Sequence, residues 1–215
     1  MAGKNRVIES VGVSSTQAER SALSDKRMYE AAVYFINERG TAKTTLKDIG
    51  ERAGYSRGLA SYRFGSKDGL WIELFNKFDE LWKSHLSNYV AGKRGLKAIV
   101  AALHAQRDIF DQQPDYLRAM YILWYESLGE ESDIRGKLAR HHQIYQRDLV
   151  RWVKQGVEDG DIDAGVSAKY FAISYCSTMF GTIYQWVVAA EAIEMDPLFS
   201  FLEDTILASL KSARH

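Results

Sequence analysis

Residues 44–69 read TTLKDIGERAGYSRGLASYRFGSKDG, and this stretch decides the fold. Thr45 can cap a helix N-terminus, and Asp48 three residues on completes a capping box. Leu46, Ile49 and Ala53 then share one apolar face at spacings of three and four. Gly54 stops that helix, because glycine takes the left-handed C-terminal conformation at little cost. Ser56 caps a second short helix whose inward positions are Ala60 and Phe64. Gly65 ends it, Ser66 caps a third, and Asp68 sits in a first turn where the helix dipole favours an anion. Six of the sixteen glycines fall between Gly40 and Gly69, a density that suits tight turns around short helices. Two short helices at a fixed angle bury little, but one can brace while the other enters a DNA major groove.

The side chains on this segment suit nucleic acid. Lys43, Lys47, Arg52, Arg57, Arg63 and Lys67 are spread along it. On the second helix Arg57, Leu59, Ser61, Tyr62 and Arg63 point away from the Ala60/Phe64 face. Arginine can bond guanine through two donors, and Leu59 or the Tyr62 ring can meet a thymine methyl. Arg57, Leu59, Tyr62 and Arg63 are therefore expected to read bases. Thr45, Lys47 and Lys67, near helix N-termini, suit phosphate oxygens. Ser56, at the start of the second helix, belongs to the same DNA-facing set.

At this point the chain resembles the N-terminal domain of a TetR-family transcriptional regulator. The resemblance rests on residues 31–35 followed by Gly40, on Thr45 and Ile49, and on Ala53-Gly54-Tyr55-Ser56. Gly58, Phe64, Ser66-Lys67 and Leu70 extend it. It covers residues 24–72. It implies a dimer that binds DNA and answers to a small molecule held among the later helices. One position departs from the family pattern: the phosphate-contacting tyrosine is replaced by Ser61, and the aromatic residue follows as Tyr62.

Outward from the segment, the pattern predicts an all-α fold. Residues 1–23 are polar and aperiodic and read as a mobile arm, from which Lys4 and Arg6 could reach a minor groove. Ser24 and Asp25 open a helix to Arg39 whose apolar face is Met28, Ala31, Ala32, Phe35 and Ile36. A long helix spans 67–90, starting in the DNA-binding unit and ending outside it. Further helices are expected at 94–112, 114–128, 131–158, 166–192 and 196–213, with Pro114 in a first turn and Pro197 following Asp196 as a cap. The implied division is an arm (1–23), a three-helix helix-turn-helix domain (24–68) and a larger helical ligand-binding and dimerisation domain (69–215).

Charge and composition narrow the function. Formal net charge is zero, which argues against indiscriminate nucleic-acid binding. Residues 1–70 nevertheless hold 12 Lys/Arg against 8 Asp/Glu, leaving 16 against 20 for the rest. A basic front on an acidic body suits docking of DNA by one face. The single cysteine, Cys176, forms no internal disulfide, and no signal sequence opens the chain, so a cytoplasmic location is expected. Residues 170–190 carry no charge and are long enough for a bilayer. Internal Ser174, Ser177, Thr178, Thr182 and Gln185, and the lack of a flanking basic cluster, favour a buried helix instead.

Small residues at spacings of four, Ser177/Gly181 and Ser174/Thr178, let a second helix approach 166–192. Paired across a twofold axis, helices 166–192 and 196–213 would give a four-helix homodimer interface. Two recognition helices would then read an approximately palindromic duplex operator. The middle helices concentrate aromatic residues, and the expected effector pocket comprises Trp82, His104, Arg107, Tyr121, Trp124, Tyr145, Trp152, Tyr175 and Met179. Such a lining suits a small apolar or aromatic molecule. A helical-bundle enzyme or a protein-binding adaptor are the competing readings. Against an enzyme, no Glu is followed by His at the fourth position, and no phosphate-binding loop, Cys-x-x-Cys or G-x-S-x-G occurs. The sequence calls for no cofactor and no metal.

Overall fold

A computed structural model describes residues 16–129 and 133–211. Its first helix, α1, spans Gln17–Arg39 and begins with a capping box: Thr16 Oγ1 accepts from the Glu19 N–H, and the Glu19 carboxylate accepts from the Thr16 N–H. The helix therefore starts before Ser24, and residues 17–23 are helical rather than part of an arm. Their exposed first turns carry no apolar stripe, so only the cap marks them. Lys4 and Arg6 lie outside the described residues.

Helices α2 (Leu46–Arg52), α3 (Arg57–Phe64) and α4 (Lys67–Val90) follow, each opened by its expected cap at Thr45, Ser56 or Ser66. Ala32 and Ile36 of α1, Ile49 of α2, Ala60 and Phe64 of α3 and Leu70 of α4 are all buried together and hold the unit closed. The body consists of α5 (Gly95–Gln112), α6 (Pro114–Glu126), α7 (Asp133–Glu158), α8 (Ala168–Val188) and α9 (Met195–Lys211), with short 3-10 turns at Ser127–Gly129 and Ala190–Ala192. No strand occurs among the described residues.

Several expected boundaries move: α6 ends at Glu126 rather than 128, and α8 begins at Ala168 rather than 166. Helix α8 ends at Val188, short of residue 192, and α9 begins at Met195. Pro197 is thus the third residue of α9, not the first after a cap, and its missing N–H falls where no intrahelical partner exists. No helix among the described residues is long and apolar enough to cross a membrane.

Packing joins the two parts in two ways. Helix α4 leaves the N-terminal unit and runs against α5, α6 and α7, while α1 lies along α6. Helices α5 to α8 enclose the body's core, and α9 rests on α5.

Candidate nucleic-acid interface and effector cavity

The α2–α3 turn is built by backbone hydrogen bonds. The Tyr55 N–H reaches the Gly50 carbonyl at 2.7 Å and the Gly54 N–H reaches the Glu51 carbonyl at 3.1 Å, the paired bonds of a Schellman termination. Gly54 supplies the positive φ, +80°, that this termination needs. Gly50 matters for a different reason. A Cβ there would lie 2.9 Å from the Ser56 carbonyl oxygen, so the start of α3 rests directly on the α2 backbone.

Helix α3 then turns two faces in opposite directions. Ala60 and Phe64 are buried, whereas Tyr62 is 89% exposed and Leu59 37%. Arg57 is exposed and makes no ion pair with any described residue. Ser61 is half-buried beside them. Lys47 faces Glu51 at 3.8 Å with both side chains 61% exposed, a geometry that holds the ammonium weakly.

Arg63 does not join that outer face. Its Nε donates to Asp25 Oδ1 and Oδ2 at 2.9 and 3.0 Å, and Nη1 donates to Glu73 at 2.9 Å. Tyr29 donates its hydroxyl to the same Glu73 at 2.8 Å. The side chain expected to read bases instead ties α3 to α1 and α4. Burial and Glu73 push the Tyr29 hydroxyl well above its ordinary value, so it remains a donor.

Two phosphate candidates are also partly committed to the protein. Lys67 Nζ donates to the carbonyls of Thr41 and Ala42 at 3.1 and 3.3 Å, bracing the turn before α2. The Thr45 hydroxyl accepts from the Asp48 N–H and donates to the Asp48 carboxylate. That carboxylate turns to Thr45 Oγ1 and Arg39 rather than to the Thr45 N–H, so the expected capping box is only half formed. The Thr45 hydroxyl first, and Arg39 after it, hold the Asp48 carboxyl below the usual range. Arg52 stacks 3.3 Å from the Tyr34 ring centroid, away from α3's outer face.

The body holds a cavity between α4, α5, α6, α7 and α8. Trp82, Tyr121, Trp124, Tyr145, Trp152, Tyr175 and Met179 line it, seven of the nine residues expected there. His104 and Arg107 do not. His104 is exposed with Nε2 2.8 Å from Glu203, and Arg107 Nε donates to Asp196 at 2.7 Å. Both fasten α5 to the α9 side, because the cavity face of α5 is Ala102, Gln106 and Ile109.

The wall also contains residues that aromatic content alone did not flag. Gln106 accepts from the Tyr175 hydroxyl at 3.0 Å, and His141 Nδ1 lies 2.9 Å from Asp79 Oδ1. Burial raises the Asp79 carboxyl, but hydrogen bonds to His141 and Lys83 outweigh it and hold the group below the usual range. Burial pushes the Tyr121, Tyr145 and Tyr175 hydroxyls upward and the Cys176 thiol up to about 11, so these groups are neutral at neutral pH. A helical wheel aligned on Ala102 and Ile109 would have placed Gln106 on the wall.

The open space is small. It admits the centre of a water-sized sphere over about 60 Å³. One water needs roughly 10–15 Å³ on that measure, so the space holds about four to six waters, and a molecule bulkier than that must displace side chains to enter. Among the described residues no group of three or more His, Cys, Asp or Glu is placed to hold a metal.

A capped helix pair with one outward basic helix, mounted on a helical body with an aromatic cavity, defines a helix-turn-helix protein. Comparison with known proteins agrees. The profile of "Bacterial regulatory proteins, tetR family" matches residues 29–74, from α1 into α4. The regulator BetI of Paraburkholderia phymatum is 24% identical over 131 residues, 60% of this chain and 67% of that protein. BetI of Burkholderia ambifaria is 35% identical over 81 residues, covering 35% of this chain and 42% of its own length. In three dimensions, NalD, the secondary repressor of the MexAB-OprM multidrug efflux pump in Pseudomonas aeruginosa, superposes with a TM-score of 0.73 at 17% identity. That superposition covers 90% of this chain and all of NalD, and it shows a shared fold. Residues 29–74 are thus similar to the DNA-binding region of the TetR family of bacterial transcriptional regulators, and the chain as a whole shares the fold of NalD.

Proposed function

We propose that the protein is a homodimeric repressor that binds an approximately palindromic operator through α3 and releases it when a small apolar molecule enters the cavity. The observation that carries the DNA-binding half is the outer face of α3. Arg57 forms no ion pair with a described residue, and Tyr62 is almost fully exposed on a helix whose other side is locked into the core. Arg57, Leu59 and Tyr62 are assigned to bases, with Ser61, Lys47 and the helix starts at Thr45, Ser56 and Lys67 along the phosphates. Arg63 is removed from the reading set.

An unpartnered apolar stripe supports the dimer. Tyr170, Ile173, Tyr184 and Val188 are exposed along α8, and Phe201 is 66% exposed on α9. Their spacing on α8 is that of a helix packed lengthwise on another, and small residues Ser177 and Gly181 lie on the same line. One recognition helix makes few base contacts; two, about 34–36 Å or somewhat more apart, multiply the discrimination.

The cavity supports the effector half. Its wall is mostly aromatic and aliphatic, with Gln106, His141 and Asp148 as polar members, and Phe78 and Trp82 of that wall sit on α4, whose first residues brace the DNA-binding unit. A ligand that favours one tilt of α4 would shift the population of operator-competent dimers. The proposed site of action is the cytoplasm. Selection of duplexes from a random pool, followed by footprinting, tests the reading. A site with twofold symmetry bound by two chains supports it, and an asymmetric site bound by one chain counts against it.

A further inference from the structure

Helix α6 touches both the cavity and the turn that precedes α2. Its inner face carries Leu117, Tyr121 and Trp124 of the cavity wall. Its last residue, Glu126, reaches the N-terminal unit. One carboxylate oxygen, Oε2, accepts from the Thr41 N–H at 2.9 Å and also from the Thr41 hydroxyl. Gly40 makes room for this contact. A Cβ there would lie 2.6 Å from Glu126 Oε1, so the carboxylate occupies the space a side chain would fill. The other end of α6 is tied as well, with Asn37 Nδ2 donating to the Asp115 carbonyl at 2.9 Å.

The turn at 40–44 is a junction. Glu126 holds it from α6, Lys67 Nζ holds its carbonyls from α4, and buried Thr44 closes it by donating its hydroxyl to the Gly40 carbonyl at 2.8 Å. Thr45, the next residue, caps α2. A short, doubly anchored helix moves as a unit, so an occupant that pushes Tyr121 or Trp124 out of the cavity displaces Glu126 too. Because the open space is limited, a ligand larger than a few waters presses on the α6 side of the wall.

We propose that Glu126 is a positioning residue that couples the cavity to the helix-turn-helix, through its carboxylate contact with Thr41 and independently of the α4 route. This rests on the reading of the cavity as the effector site. The test is a double-mutant cycle in the full-length dimer, using the duplex the wild-type protein selects. Ala102→Phe fills the cavity in place of a ligand, and Ile183→Phe is a second filler should the first fail to fold. Each is combined with Glu126→Ala and with Glu126→Gln, and operator affinity is measured after circular dichroism shows native helix content. In the wild-type background a filler is expected to weaken operator binding by about 5-fold or more, the lower end of ordinary coupling. With Glu126→Ala the same filler should change it by less than about 2-fold, within the scatter of independent sites. Glu126→Gln keeps an oxygen acceptor for Thr41 and should retain most of the coupling. An undiminished filler effect in Glu126→Ala overturns the inference and leaves the cavity reading standing. Fillers without effect in the wild-type background overturn the cavity reading and the inference with it.

Discussion

Replacing Gly50 by alanine sets two effects against each other. Alanine inside a helix normally gains about 0.5–1 kcal/mol over glycine by restricting the unfolded chain. At Gly50 the added Cβ would meet the Ser56 carbonyl oxygen at 2.9 Å and its carbon at 3.2 Å. Both atoms are backbone and cannot rotate aside. That oxygen also accepts the first α3 bond, from the Ala60 N–H at 3.3 Å, so pushing it away disturbs the recognition helix at its start. Overpacking of this kind costs about 1–3 kcal/mol, and its upper half applies because neither backbone atom can rotate aside; less an alanine gain of about 1 kcal/mol, the net loss should be about 1–2 kcal/mol. For a chain of this length that lowers the melting temperature by roughly 2–8 °C. Gly58→Ala is the internal control. Its Cβ would touch only Ser56 Oγ, at 3.6 Å, and its φ is unexceptional, so it should raise stability by up to about 1 kcal/mol. The assay is thermal and guanidinium unfolding of both variants beside operator binding. A Gly50→Ala variant as stable as wild type with unchanged DNA affinity would refute the close approach that fixes the α2–α3 angle.

Arg63→Ala should cost about 1–3 kcal/mol by denaturant titration, a range discounted because its side chain is 35% exposed, and should weaken binding to all duplexes alike. Arg57→Ala should instead relax preference at one base pair, by about 1–3 kcal/mol of discrimination in competition binding. A strong sequence effect from Arg63→Ala would return that side chain to the groove. Cys176 should resist iodoacetamide at pH 8 and react faster as pH rises toward its folded value of about 11. Since the unfolded thiol ionises near pH 9, folding stability contributed by this group should fall between about pH 9 and 11; fast labelling of the folded protein at pH 7 would contradict its burial. Val188→Asp with Phe201→Asp should yield monomers by sedimentation and lose most operator affinity, and an unaltered dimer would place the interface elsewhere.

Much of this was readable from local chemistry. Caps at Thr45, Ser56 and Ser66, with glycines between them, marked α2 to α4, since those signals act over three or four residues. The start of α1 escaped because Thr16 and Glu19 open a stretch with no apolar period. Arg63 escaped because its partner Asp25 is 38 residues away, and only packing shows that α1 and α3 meet there. Outward placement on a short helix does not distinguish a groove contact from a clasp at its end. The same limit applies to His104 and Arg107: residue type suggested polar anchors for a ligand, but the turn of α5 sends both toward α9. Aromatic residues were located more reliably, because large apolar rings in the middle helices have few places to go except inward.

The most direct measurement is the binding of purified full-length protein to the duplex it selects, with stoichiometry and salt dependence recorded together. Two chains should occupy a twofold-symmetric site, affinity should fall steeply as salt rises, and Arg57→Ala with Tyr62→Ala should lose sequence preference. Binding that ignores sequence, or that survives removal of both side chains with its preference intact, would contradict the assignment of α3 as the reading helix.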